Sequence, residues 1–195
     1  MSQKGSFAGK VAAILIIVFF VGSMFTISLF SGEDASEEFK INGYTFYAGD
    51  GYITKVNMAG SKQDVSFLTD PRSLSDAVIE NDAISLPDRS KFYLVFNPNK
   101  MSLSESVYYD LARVLTSVKG VSVALAFTED SNPVDENMPL RTCADVDNYG
   151  IIEFSFGEED RVYVEEGCIK VVGKDVAGLQ NTAAKFAYWL SGIEI

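Results

Sequence analysis

Two cysteines, no histidine and a surplus of acids set the chemistry open to this chain of 195 residues. Without histidine there is no ordinary general base near neutral pH. Ser-His and Cys-His nucleophile pairs are likewise excluded, and zinc loses its commonest ligand. Carboxylate, lysine or tyrosine chemistry stays formally open. Asp145-Val-Asp147-Asn148-Tyr-Gly150 partly imitates the oxygen spacing of a calcium loop. That template also wants an oxygen ligand where Tyr149 stands and a Glu where Phe156 stands, so an Asx-rich turn accounts for it better. Glu158, Glu159 and Asp160, with Glu165 and Glu166, could attract a divalent cation weakly, but a charged tip that discourages edge pairing explains them more simply. Tyr44, Phe46, Tyr47 and Tyr52 could make a platform for a sugar or peptide, although aromatics in alternating strands more often belong to a core.

No P-loop, dinucleotide fingerprint or Gly-x-Ser-x-Gly elbow occurs. The expectation is therefore no catalytic residue, no cofactor site and no metal site. Cys143 and Cys168 are the residues with a chemical role to assign. Which role depends on the compartment, and the compartment depends on the N-terminal stretch.

Val11 to Phe30 is twenty uncharged residues that open with an unbroken apolar run to Val21. As a helix it would be about 30 Å long, the thickness of a bilayer's hydrocarbon core. Lys4 and Lys10 precede it, while Glu33, Asp34, Glu37 and Glu38 come after it. The positive-inside rule keeps residues 1–10 in the cytoplasm and sends residues 31–195 outside, as a single-pass protein of the cell membrane. Two cysteines in an exported domain form a disulfide as a rule, so Cys143 and Cys168 are expected to be bonded.

Small residues suited to a signal-peptidase cut are missing after Phe30, where Phe30-Ser31-Gly32 puts a ring at the −3 position; this favours an uncleaved anchor. Lys4-Gly5 resembles the cut site of a pilin-type leader, but Lys10 stands where pilins generally carry an acid. Residues 31–38 read as an acidic stalk and 39–195 as one exported domain. The chain carries a formal net charge of −11, and because residues 1–30 hold two lysines and no acid, the remainder carries −13. Such a surface makes nucleic acid a poor partner.

The elements of that domain follow from periodicity. Phe39 to Leu68 reads as a strand meander with a turn signal at Asn42-Gly43, and Asp70-Pro71 opens a short helix with Leu74, Ala77 and Val78 on one face. Lys91 to Asn97 and Val121 to Phe127 are buried strands flanking a helix with a capping box at Ser102 to Glu105 and a stripe from Leu103 to Val118. They form a β-α-β unit with parallel strands. Thr128 to Thr142 is a long acidic loop, a contact surface if not a merely variable segment. Ile151 to Phe156 and Arg161 to Glu166 read as a hairpin turned by Gly157 to Asp160. Cys168 to Val172 is a last strand. A helix capped at Asp175 ends the domain, its stripe running Leu179, Ala183, Phe186, Ala187 and Leu190. The fold class is α/β (α+β): a transmembrane helix and a two-layer domain with a mixed sheet and two main helices packed on it.

Cys143, the Cys168-Ile169-x-Val171-x-Gly173 strand, the helix to Leu190-Ser191-Gly192-Ile193 and the opening Ile41-Asn42-Gly43-Tyr44-Thr45-Phe46 resemble a group of uncharacterised small archaeal proteins with one N-terminal membrane helix and an α/β exodomain. The resemblance implies that anchored fold, and it carries no active site, because the group has no established activity.

The functional expectation is a membrane-anchored extracytoplasmic binding or scaffolding module, non-enzymatic, with the bilayer as partner through Val11 to Phe30 and a further envelope protein or polymer as ligand. A pilin-like filament subunit is the alternative and an anchored carboxylate hydrolase a distant third. Sequencing the mature N-terminus separates them: Met1 or Ser2 is expected for the anchor, whereas Ser6 marks a pilin and Met24 a secreted chain.

Overall fold

The computed structural model describes residues 37–195, except 59, 75, 81–83 and 130–136. The anchor Val11 to Phe30, residues 31–36 of the stalk and the Lys4-Gly5 pair lie outside the described residues. Among the described residues no helix is long and apolar enough to cross a membrane.

Four strands open the fold: β1 (Glu37–Ile41), β2 (Tyr44–Ala48), β3 (Tyr52–Met58) and β4 (Ser61–Phe67), paired in that order. β1 starts two residues before the expected edge of the domain. Asn42 and Gly43 between β1 and β2 have φ of 46° and 87°, the pair of left-handed conformations that a two-residue hairpin with right-twisted strands demands. Alternation then sorts the side chains. Phe46, Thr54, Val56, Val65 and Phe67 are buried on one face, while Tyr47, Ile53, Lys55 and Asp64 lie on the other. The four aromatics do not share one face: Tyr47 lies on the outer one, while Phe46 is buried and Tyr44 and Tyr52 are half-buried on the inner one, the core placement the alternation favours.

Asp70 caps the next segment as expected, accepting the Arg72 N–H at 2.8 Å. The capped segment is a single 3-10 turn, Pro71–Ser73, rather than a helix. Val78 and Ile79 form β5 (Val78–Ile79) instead, because Val78 N–H and Glu80 N–H find the carbonyls of Asp160 and Val162. Val78 is 57% exposed, so it supplies no apolar helix face.

The second sheet has six strands in the order β5-β9-β10-β8-β6-β7, with β6 (Lys91–Phe96), β7 (Ser122–Phe127), β8 (Gly150–Phe156), β9 (Arg161–Glu165) and β10 (Cys168–Gly173). It is mixed. β9 and β10 are antiparallel, and the other neighbours run parallel, including β6 with β7 as the β-α-β unit requires. The expected hairpin of β8 with β9 does not form, because β10 lies between them. The hairpin is β9–β10, turned by Glu166 and Gly167 at φ of 52° and 81°. A two-residue turn closes more easily than the four residues from Gly157 to Asp160, and those residues instead span the end of β10.

The two helices are α1 (Glu105–Ser117) and α2 (Val176–Leu190). Ser104, not Ser102, takes the N-cap position of α1, and its hydroxyl pairs with Ser106 at 2.9 Å instead of the helix backbone. Val107, Leu111, Val114 and Leu115 of the expected stripe are buried. α2 is capped by Asp175, which accepts the Gly178 N–H at 2.8 Å. Its expected stripe is buried too, but so are Thr182, Ala184 and Tyr188 on other sides.

Burial on opposite sides of α2 overturns the two-layer expectation. α2 packs on β8, β9 and β10, and it sends Tyr188 to stack on Phe67 of the four-stranded sheet. α1 likewise touches both β7 and β4. The helices form a middle layer between two sheets: α2 buries Leu179, Ala183 and Phe186 on one side and Tyr188 on the opposite one, and leaves Gln180, Asn181 and Lys185 half-buried. Close approach fixes small residues at two points. A Cβ on Gly150 would enter the Phe92 ring, and one on Gly173 would enter the Leu179 backbone. Gly173→Ala is expected to destabilise the fold by roughly 1–3 kcal/mol, read as a lowered urea midpoint with an unchanged slope.

Candidate functional site

Cys143 and Cys168 are bonded, with Cα atoms 5.4 Å apart. Cys143 opens a 3-10 turn, Cys143–Asp145, and Cys168 is the first residue of β10. The turn is held by Thr142 and Asp145, each side chain accepting a backbone N–H near the other's end. Asp145 therefore serves a turn, as the Asx reading expects, and Gly150 is explained by the Phe92 ring.

The disulfide lies on the sheet face opposite the helices, beside Tyr93, Val95, Ala126 and Ile151. Arg141 stacks there, its guanidinium 5.0 Å from the Tyr93 ring and 5.1 Å from the Tyr149 ring. Lys91 lies 4.7 Å from the Tyr93 ring. Hydrogen bonding from Lys91 holds the Tyr93 phenol below the usual tyrosine range despite its burial, and Arg141 adds to the effect. Glu153, with an Oε2 2.9 Å from Lys170 Nζ, sits next to the two sulfurs. Cys143, Glu153 and Cys168 hold ligand-type atoms within 4.8 Å of one another. Bonded sulfurs are not thiolates and the carboxylate is paired with an ammonium, so in the oxidised protein this trio is not a metal centre.

A second polar cluster escaped the sequence reading. Asp110 is 4% exposed on α1, and its two carboxylate oxygens accept the N–H groups of Leu68 at 2.6 Å and Thr69 at 3.0 Å. Tyr188 donates to the Thr69 carbonyl at 2.9 Å. Its signal in the sequence is an acid inside an apolar stripe, between Val107 and Leu111. The carboxylate is fully engaged with backbone donors, which makes it a clamp on the end of β4 rather than an acid or base for a substrate. Asp160, expected at a charged tip, is a clip of the same kind, accepting the Lys174 N–H at 2.7 Å. Glu158 and Glu159 stay exposed.

An open groove of about 530 Å³ lies between α1 and β7, lined by Glu105, Tyr108, Tyr109, Arg113, Val123 and Leu125, among others. One wall is the edge of the six-stranded sheet. Edges normally carry charges or are very short. β1 carries Glu37, Glu38 and Lys40, β4 carries Lys62 and Asp64, and β5 is two residues long. From Ser122 to Ala126, β7 has no charge and no proline. Leu140, after the residues 130–136 that lie outside the described ones, bridges to Phe127 at the end of β7.

No family model, curated protein or solved structure matches this chain.

Burial, and then the charges of Asp110 and Asp70, push the Tyr188 hydroxyl well above the usual tyrosine value of 10.0. It stays protonated in the folded chain after an unfolded chain would ionise it. Stability from this source is complete below about pH 10 and falls as the pH rises above it. Tyr188→Phe should cost about 1 kcal/mol at neutral pH and remove this part of the alkaline loss. Asp110→Ala, which orphans the N–H groups of Leu68 and of buried Thr69, should cost roughly 2–4 kcal/mol. Urea midpoints at neutral and alkaline pH check all three.

Proposed function

We propose that this chain is a membrane-anchored extracytoplasmic module of the cell envelope, non-enzymatic, whose folded part makes contacts through the groove between α1 and β7. The observation that carries the location is the Cys143–Cys168 bond: such bonds persist in oxidising compartments, outside the reducing cytosol. It agrees with the direction given by Lys4 and Lys10 ahead of Val11 to Phe30. A scaffolding or binding role is supported by the unprotected β7 edge beside an open groove, and by buried acids that serve backbone groups instead of facing a cleft. The bilayer is the first partner, through Val11 to Phe30, and the strongly acidic surface suits a salty exterior.

Thiol accessibility tests the location. In chains taken directly from cells and denatured without reductant, a maleimide-linked polymer should add to neither cysteine, and after reduction it should add to both. A protease applied to intact cells should trim the folded part. Labelling without reductant, or protection from the protease, overturns the reading.

A further inference from the structure

The pairing of β7 with β6 leaves every second residue turned outward. Ser122 N–H bonds to the Ser90 carbonyl and Thr128 N–H to that of Phe96, so the even residues face β6. Phe127 faces the other way, its N–H on the Pro139 carbonyl and its carbonyl on the Arg141 N–H. Val123 and Leu125 share that outward sense. Among the described residues nothing bonds to their main-chain groups, while their side chains are half-buried on the groove side.

We propose that this edge pairs antiparallel with the same edge of a second copy of the chain, about a two-fold axis at Ala124. It rests on reading the groove as a contact surface. In that register Val123 lies opposite the partner's Leu125 and Leu125 opposite the partner's Val123. Both are positions where antiparallel residues exchange N–H and C=O, so the outward groups of Val123 and Leu125 are satisfied in both copies. Ala124 meets the partner's Ala124 in the close, non-hydrogen-bonded position, where a methyl group fits and a larger side chain would crowd.

The length of the free edge suits this register. At one end Gly120, with φ of 68°, turns the chain out of α1, and at the other Leu140 occupies Phe127. With the axis at Ala124 the exchanged bonds are confined to Val123 and Leu125, and the ladder stops before Ala126, beside which Pro139 lies.

Charge is self-complementary along the same axis. Val121 N–H bonds to the Leu115 carbonyl, which sets the C-terminal end of α1 beside the start of β7. The helix therefore runs back along the groove, with Arg113 and Thr116 toward Ser122 and Glu105 toward Phe127. A two-fold at Ala124 brings Glu105 toward the partner's Arg113, and Arg113 toward the partner's Glu105. An extended peptide from another protein would also use the open backbone groups, but nothing would require it to match this charge order.

The test is the mass of the full chain in detergent micelles, by light scattering with the detergent subtracted. The native chain should be a dimer. Val123→Pro removes an outward N–H that β6 does not use, and it should give a monomer with unchanged circular dichroism and thermal midpoint. Arg113→Glu should raise the dimer dissociation constant about tenfold, and adding Glu105→Arg should restore it. A monomeric native chain, a V123P dimer, or a double charge swap that restores nothing overturns the proposal. If V123P loses its fold, the charge-swap pair decides alone. Failure here leaves the reading of an exported anchored module untouched, since thiol and protease accessibility judge that separately.

Discussion

Burying α2 on two opposite sides, with Leu179, Ala183 and Phe186 on one and Tyr188 on the other, is the constraint from which the rest of the fold follows. A helix lodged between two sheets must present apolar side chains to both of them and must satisfy any polar atom it carries inward. Leu179, Ala183 and Phe186 meet the conditions by chemistry alone. Tyr188 meets them by contact: its ring stacks on Phe67 at 3.8 Å, lies edge-on to Phe46 at 6.0 Å, and its hydroxyl reaches the Thr69 carbonyl. One side chain thus ties the four-stranded sheet to the helical layer through both dispersion and a hydrogen bond. Asp110 works beside it from the other helix, fixing the two N–H groups just past β4. Removing either leaves buried backbone groups without partners, which is costlier than losing a surface contact.

Much of this was legible in the sequence where a local pattern had no rival. Lys91 to Phe96, the α1 stripe, the Asp175 cap and the Asn42-Gly43 turn all rest on interactions within a few residues, and each is present. The readings that failed depend on distant partners. Val78 belongs to a strand because Asp160 and Val162 offer carbonyls to its neighbourhood, a fact about residues some eighty positions away in the chain. The β8–β9 hairpin failed for a related reason: Gly157 to Asp160 looks like a turn, yet Glu166-Gly167 is tighter and leaves β10 to take the middle place. The third layer was hidden because Thr182 and Ala184 are not conspicuously apolar, so a helix buried on opposite sides reads as one buried on a stripe.

The candidate site was legible in part. The bonded cysteines followed from residue type and compartment. The groove did not, because an edge is defined by which strand lacks a neighbour, and periodicity gives no strand order. What the sequence does carry is the absence of charge from Ser122 to Ala126, and that absence becomes informative once β7 is known to be an edge.

The disulfide and this edge are linked through one short segment. Pro139, Leu140 and Arg141 attach to Phe127 by main-chain bonds, and two residues later Cys143 is joined to the first residue of β10. In the chain-entropy view a closure of 25 residues is worth roughly 3–4 kcal/mol, far more than the pair of main-chain bonds at Phe127. The covalent bond is therefore the stronger hold on that segment. Arg141, stacked between Tyr93 and Tyr149, prevents it from pivoting. The bond between Cys143 and Cys168 thereby helps set how much of the β7 edge the chain itself occupies, at Phe127, and how much is left open beside Val123 and Leu125.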